Sequence, residues 1–215
     1  MYETGGSGEN RRLLESGRVD LGTMQADTTA SDGIEGLANL YSDAYHLIAR
    51  DDAQINHFSD LRGKRVAIPP RTSDQHNSFW FLARHFRLAP EELNALPMAE
   101  AAANFAMERG QVEAVFRVRA PGNEAISDLI GDKDLHLVAI EQSEALALKQ
   151  AAIDPGVIPR GSYRGNPPLP SADLPTALVE RLLVVRADLP ESLVYKLTKG
   201  LYENRSEIME ATPLA

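Results

Sequence analysis

Short apolar runs alternate with segments of helical spacing along most of the chain. The apolar runs predict strands, and they lie at residues 19–24, 45–49, 65–68, 114–118, 135–140 and 182–185. The segments between them predict helices at residues 9–16, 73–85, 99–108 and 123–130, with a last helix beginning at Pro190. Repeated alternation of strand and helix is typical of an α/β fold with mainly parallel sheets.

Single residues mark the ends of several predicted elements. Ser73 fits the N-cap of its helix, and Gly17 and Gly110 fit C-caps, where glycine adopts a positive φ. Residues 26–36 are polar and contain glycine, which predicts a loop. Residues 155–175 hold six prolines and three glycines, which predicts an extended, irregular connection.

One junction occurs twice. Residues 14–21 are similar to residues 107–114, because each has a helix end, a glycine, a spacer, a valine, an acid and then a strand. The repeat indicates two lobes of similar construction. The alternative is that such junctions recur in any α/β protein, and the sequence leaves both open.

Composition and charge exclude several classes of function. The chain has 215 residues, a net charge of −9 and no cysteine. Such a surface repels phosphate backbones, so we expect no nucleic-acid partner. Disulfides and thiolate chemistry are excluded. No apolar run approaches the roughly 18 residues that a membrane helix needs, so we expect no spanning helix in this segment.

The first residues predict the end of a strand. Residues 1–7 lead into a turn at Gly5-Gly6, and no signal peptide precedes them. Because such a strand needs partners, we expect that a preceding part of the domain is missing. The alternative is a short cytosolic protein with a ragged N-terminus.

Several motifs, in order along the chain, carry a family resemblance. Thr4-Gly5-Gly6-Ser7-Gly8-Glu9-Asn10, Gln25-Ala26-Asp27, His46-Leu47-Ile48-Ala49-Arg50, Pro121-Gly122-Asn123 and Arg186-Ala187-Asp188-Leu189-Pro190 are among them. Together they resemble the TAXI-type solute-binding subunits of TRAP transporters. The resemblance implies a type II periplasmic-binding-protein fold, with two α/β lobes joined by crossover hinge strands and the first lobe incomplete.

The resemblance also implies a division of the chain. Residues 1–48 are expected to form the N-terminal part of a truncated first lobe, and residues 49–145 the second lobe. Residues 146–215 are expected to supply a return segment, a hinge strand and the C-terminal helix of the first lobe. The family implies a periplasmic location, a TRAP permease as partner and a monomeric complete protein.

Three loop-to-helix junctions are candidate ligand cradles. They contain Gly6 and Ser7, then Arg71, Thr72 and Ser73, then Asn123. The N–H groups at a helix N-terminus favour an anion. The alternative for each is a simple capped turn.

Further candidates are arginine, polar and aromatic residues. Arg117 and Arg119 lie two apart and share one strand face, where they either bind a ligand carboxylate or decorate an exposed sheet edge. Gln25 and Asp27 are candidates for a polar or ammonium group, Asp27 with a loop-capping alternative. Tyr45 is expected at the hinge, and Tyr163 forms a ligand wall or packs in the core. The basic residues lead us to expect a carboxylate ligand, either glutamate-like or a dicarboxylate.

Catalytic and metal motifs are not recognisable. The five histidines lack metal-ligand spacing, and no nucleophile elbow, P-loop or GxGxxG occurs. We therefore expect neither a cofactor nor a metal, and not an enzyme. Three hypotheses remain: a binding protein that delivers a small organic anion to a permease, a ligand-sensing domain of similar fold, and an enzyme that uses the same cleft.

Overall fold

A computed structural model describes residues 4–29, 31–131 and 134–211, with side chains described to residue 208. The strand end predicted at residues 1–7 lies partly outside this part. The strands are β1 Leu21–Gln25, β2 Ile34–Arg50, β3 Arg65–Ile68, β4 Asn94–Pro97, β5 Ala114–Arg119, β6 Leu135–Val138, β7 Ile153–Ile158 and β8 Leu174–Arg186. Hydrogen-bonded neighbours follow the order β1-β8-β2-β5-β3-β4, with β6 on β2 and β7 on β8.

Helices connect most of these strands. They are α1 Ser7–Glu15, α2 Asp74–His85, α3 Glu100–Glu108, α4 Glu124–Ile130, α5 Ser143–Ala147, α6 Glu191–Glu203 and α7 Arg205–Ala211. Short 3-10 turns occupy Asp51–Ala53, Phe58–Leu61 and Pro90–Glu92. The predicted α/β class is confirmed, and β3 and α2 have the predicted bounds. The prediction of mainly parallel sheets is wrong, because β1–β8, β2–β5 and β2–β6 pair antiparallel and the sheet is mixed. The loop predicted at residues 26–36 is shorter, because β2 already begins at Ile34.

The chain divides into two compact units. The first unit contains residues 1–42 and 179–215, and the second contains residues 43–178. Both boundaries fall inside long strands, β2 and β8. The predicted second lobe began at residue 49. In the structure the chain enters the second unit at Asp43, because Ala44–Ala49 already pair with β5.

The segment 146–178 was expected with the return and the first-lobe helix. It packs in the second unit instead, because Ile158 and Tyr163 enter the same buried cluster as Ile48 and Ile130. The prolines of this segment do not prevent a strand, since β7 covers Ile153–Ile158. The rest of the segment, up to β8, is irregular as predicted.

The second unit is a sheet with helices on both faces. Strand β5 pairs antiparallel with β2 and parallel with β3, and β4 pairs parallel with β3. One face packs on α2, where the rings of Phe79 and Phe116 are 5.5 Å apart. Residues of α3 and α4, such as Ala103 and Ile126, cover the other face. Burial of this apolar surface is the main stabilising contribution.

The first unit has a smaller core. Strand β1 pairs antiparallel with β8, from Leu21 opposite Val185 to Gln25 opposite Arg181. Leu14 of α1 packs with Met24 and Val184 in a small buried cluster. Helices α6 and α7 follow β8 in this unit. In the described residues no helix has the length and apolar character needed to cross a membrane.

Candidate functional site

The carboxyl ends of three parallel strands meet at one edge of the second unit. Strands β3, β4 and β5 run parallel, and each leads into a helix, α2, α3 and α4 respectively. The loops 69–73, 98–99 and 120–123 therefore lie at the same edge. We call these loops, together with Glu100, Arg117 and Arg119, the carboxyl-edge site. Open α/β sheets bind their ligands at this edge.

Arg117 and Arg119 extend from the same face of β5. Arg117 is only 2% exposed, which excludes the exposed-edge alternative for this residue. Its guanidinium donates to the carbonyl oxygens of Phe116, at 2.9 Å, and Glu100, at 3.4 Å. Burial lowers the pKa of Arg117 to about 10, so the side chain remains charged at neutral pH. The side chain of Arg119 is 30% exposed and is accessible to a ligand.

Glu100 is the counter-ion of both arginines. It is the first residue of α3, and its carboxylate accepts a short hydrogen bond from Arg119 Nη2. The same carboxylate lies 4.0 Å from Arg117 Nε. Among the described residues Arg117 Nε has no hydrogen-bond acceptor. The buried cation is therefore only partly compensated, a situation that favours an additional negative charge nearby.

A directional chain of hydrogen bonds holds one loop of the site. The Gly122 N–H donates to the Tyr163 hydroxyl, which is in short contact with His46 Nε2. His46 Nδ1 lies 2.8 Å from the Ala44 carbonyl oxygen. Because that oxygen only accepts, Nδ1 carries the proton and Nε2 accepts from Tyr163. Gly122 has a φ of +83°, which favours glycine at this turn.

His46 and Tyr163 belong to the interior of the unit. His46 is fully buried, and burial lowers its pKa to about 4, so the ring is neutral at pH 7. Burial also raises the pKa of Tyr163. Tyr163 is 2% exposed and lies in a buried cluster with residues such as Ile48 and Ile130, which is the core-packing alternative from the sequence. Its hydroxyl positions the Gly122 loop.

The helix N-termini at this edge differ in what they offer a ligand. The Asn123 side chain accepts from the N–H groups of Ala125 and Ile126, so it caps α4 and occupies donors that were predicted to be available. Ser73 is buried at the N-cap of α2, and its N–H donates to the Pro70 carbonyl. Arg71 and Thr72 precede it and are exposed.

Other predicted site residues lie in the first unit. Gly6 is the N-cap of α1 and has a φ of +125°. The hydroxyl of Ser7 is buried and accepts from the Gln25 N–H at 3.0 Å, so these two residues join α1 to β1. Asp27 follows in the turn after β1 and is half-buried.

The remaining predicted site residue is Tyr45, which belongs to the second unit. Tyr45 is fully buried, and its ring meets Phe116 edge-on at 5.7 Å.

A cavity of about 570 Å³ opens beside Gly122 and Tyr163, and Glu124, Ser127 and Arg164 also line it. Among residues 4–29, 31–131 and 134–208, no three His, Asp or Glu side chains are arranged to hold a metal ion.

Sequence reasoning missed His46 and Glu100. His46 interrupts the apolar run Tyr45–Ala49, and a polar residue in a buried strand requires a hydrogen-bond partner. Glu100 is an acid in the first turn of an alanine-rich helix, which by itself predicts only a favourable helix dipole interaction. A buried histidine was therefore detectable, whereas the pairing of Glu100 with β5 was not.

Three solved structures have the same fold. A mutant of full-length BenM has a TM-score of 0.58 and 14% identity, and the match covers 100% of this chain and 58% of that one. The GluR0 ligand-binding core in complex with L-glutamate has a TM-score of 0.57 and 15% identity, covering 100% and 80%. The periplasmic aliphatic sulphonate binding protein SsuA from Escherichia coli has a TM-score of 0.57 and 14% identity, covering 99% and 65%.

These similarities define the fold. The fold is that of the type II periplasmic binding proteins, as predicted. The chain spans little more than half of the BenM chain and about two thirds of SsuA. The model of the NMT1-like family matches residues 1–215, and the chain belongs to that family.

Proposed function

We propose that this chain is part of an extracytoplasmic solute-binding subunit of the TAXI type, which captures a small organic anion for a TRAP-type permease. The family membership and the fold support a binding role. One protein of the same fold, SsuA, is a periplasmic aliphatic sulphonate binding protein. The resemblance in the sequence motifs supports the TAXI assignment. As a binding protein it releases its ligand unchanged.

The observation that carries the proposal is the partly compensated arginine pair at the carboxyl edge. Arg119 is accessible, and an Arg guanidinium binds a carboxylate through two parallel hydrogen bonds. Arg117 is buried and acts on a ligand through its charge rather than by contact. A ligand that interacts better with one conformation of the protein than another shifts the population toward that conformation.

A thermal-shift panel of amino acids, keto acids and carboxylates tests the proposal. A ligand at about 100 times its Kd stabilises the native state by about 2.7 kcal/mol, which is easily measured. Arg119→Gln should abolish the shift. Arg65→Gln is the matched control, because Arg65 pairs with Glu113 at the opposite end of β5. A panel without any shift, or equal shifts in wild type and Arg119→Gln, would contradict the proposal.

A sensing domain is the second candidate. It is favoured by the similarity to the GluR0 ligand-binding core, which is a complex with L-glutamate. The two candidates differ in what receives the ligand-bound protein. A ligand-dependent complex with TRAP permease subunits, measured by co-purification, favours delivery. A complex with a signalling protein favours sensing.

A further inference from the structure

Strand β5 continues past the point where it pairs with its parallel neighbour. The register between β3 and β5 ends at Ala67 opposite Val115, whereas β5 extends to Arg119 at the carboxyl-edge site. In a strand, the N–H and C=O groups of one residue point to the same side, and alternate residues share a side. Main-chain groups beyond Val115 therefore need partners that β3 does not supply along its recorded register.

Side chains bond to these main-chain groups of β5. Arg117 and Arg119 donate to the carbonyl oxygens of Phe116 and Val118, at 2.9 and 3.0 Å respectively. The Val118 N–H donates to Oε1 of Gln75 at 3.3 Å. Because the N–H and C=O groups of Val118 point to the same side, the Gln75 carboxamide and the Arg119 guanidinium are neighbours at this edge.

Gln75 offers this edge a hydrogen-bond donor that the sequence did not reveal. It is the second residue of α2 and is 8% exposed. A main-chain N–H only donates, so the carboxamide oxygen faces Val118 and the Nε2 group is directed elsewhere. Among the described residues no group accepts from Nε2, and this atom is not sealed from solvent. A nearly buried amide with unused hydrogens favours an acceptor that a ligand supplies.

The groups that a ligand meets beside Val118 are donors. Arg119 is the accessible guanidinium, and Glu100 is already engaged as its acceptor. Arg71 in loop 69–73 adds an exposed cation to the site. When Arg119 holds a ligand carboxylate, an oxygen atom next to that carboxylate can accept from Gln75 Nε2. A methylene group in the same place leaves the donor unpaired, which costs binding free energy.

We propose that Gln75 is a specificity-determining residue of the carboxyl-edge site, whose Nε2 group donates a hydrogen bond to an oxygen atom beside the ligand carboxylate. The site thereby favours 2-oxo and 2-hydroxy acids over acids that have a methylene group at that position. The inference rests on the proposed function and refines it, because it names a second acceptor on the ligand.

Two acids of equal charge test the inference. 2-Oxobutyrate and butyrate each carry one negative charge at pH 7.5, so the charges of the site act on both alike. Isothermal calorimetry with the 215-residue chain measures the two Kd values. 2-Oxobutyrate should bind more tightly, on the order of fivefold, which is the effect of one neutral hydrogen bond. Gln75→Met removes the amide at similar side-chain volume and should abolish this preference.

Two further variants separate a ligand contact from a structural role. Gln75→Glu keeps an oxygen for the Val118 N–H but has no hydrogen to donate at pH 7.5, so it should also lose the preference. Its added charge weakens the binding of both acids and cancels in the ratio of the Kd values. Asn77→Met makes the matched replacement at an exposed position of α2 and should keep the wild-type ratio. Circular dichroism establishes that each variant is folded.

The possible outcomes distinguish the two proposals. If no anion of the thermal-shift panel and neither acid binds, the proposed function is overturned and the inference with it. If another anion binds but neither acid does, or if wild type binds both acids equally, the inference alone is overturned. A wild-type ratio in Gln75→Glu shows that Gln75 only holds α2 to β5, which also contradicts the inference. The same conclusion follows if Asn77→Met loses the preference. If Gln75→Met does not fold, the ratio in Gln75→Glu decides.

Discussion

The two units bury their apolar side chains to different degrees. In the second unit whole aromatic and aliphatic side chains, such as Phe79, Phe116 and Leu82, are inaccessible to solvent. In the first unit Leu14, Met24 and Val184 form a small buried cluster among the described residues. Helix α6 has no buried residue along Glu191–Glu203, although its apolar residues follow a helical spacing. Tertiary packing therefore stabilises the second unit strongly, whereas α6 depends more on its own helix propensity.

The largest expected effect is a change in the core of the second unit. Phe116→Ala removes a ring that contacts both Tyr45 and Phe79. The free energy of unfolding should fall by about 3–5 kcal/mol, because the substitution loses buried area and leaves a cavity. Urea denaturation followed by circular dichroism measures the change.

Phe105→Ala is the matched control in the same unit. Phe105 is 52% exposed, so its removal should cost only about 0.5 kcal/mol. Equal losses in the two variants would mean that the second unit does not depend on this core.

An effect of intermediate size is expected from pH. His46 has a pKa of about 4 when folded, against 6.5 for the free side chain. Above pH 6.5 His46 is neutral in both the folded and the unfolded state, so it contributes no pH dependence to the free energy of unfolding. As the pH falls from 6.5 to 4 the unfolded state binds a proton that the folded state does not. Stability should therefore fall by about 3 kcal/mol, and by no more below pH 4.

Denaturation curves at pH 7.5, 6, 5 and 4 measure this dependence. His46→Gln should make the dependence shallower over this range, although its stability at pH 7.5 is lower. His57→Gln, at an exposed position outside the core, is the control and should retain the wild-type dependence. The same slope in His46→Gln and in wild type would refute the assignment.

The smallest expected effect is in α6 of the first unit. A Cβ at Gly200 would meet no atom of the described residues within 4 Å. Gly200→Ala should stabilise the protein by about 0.5–1 kcal/mol, because alanine has the higher helix propensity. Differential scanning calorimetry measures the shift in Tm.

Gly110→Ala is the opposing control in the second unit. Gly110 has a φ of +64°, and a Cβ there would lie 2.6 Å from the Arg50 side chain. The substitution should destabilise the protein. A lower Tm for Gly200→Ala would show that α6 packs more tightly than its exposure indicates.

Local signals were sufficient for much of the second unit. Pro69 follows β3 directly, Ser73 precedes α2, and Gly110 follows α3, so each end has a recognisable residue type. Strand β4 was missed because its partly exposed residues at the sheet edge do not form an apolar run. Helix α5 was missed because five residues are too few for a helical period.

The candidate site was predictable in its residue types but less so in its pairing. Arg117 and Arg119 follow from strand periodicity. Their shared counter-ion Glu100 lies on another element, and the sequence offers no local signal for a contact that the packing of α3 on the sheet creates. Likewise His46 and Tyr163 are separated by 117 positions. Such contacts depend on tertiary structure, whereas periodicity reports only on neighbours in one element.

The polar chain from Gly122 to Ala44 has a consequence for how the irregular segment around Tyr163 is fixed. The Gly122 N–H donates, Tyr163 and His46 each accept one hydrogen bond and donate one, and the Ala44 carbonyl oxygen accepts, so only one arrangement of protons satisfies the chain. The hydrogen bond between Tyr163 and His46 therefore holds the irregular segment against β2, within otherwise apolar surroundings. Substitution of Tyr163 by phenylalanine would keep the packing of the ring but remove the hydroxyl. The Gly122 N–H would then lose its acceptor, and His46 Nε2 would lose its donor.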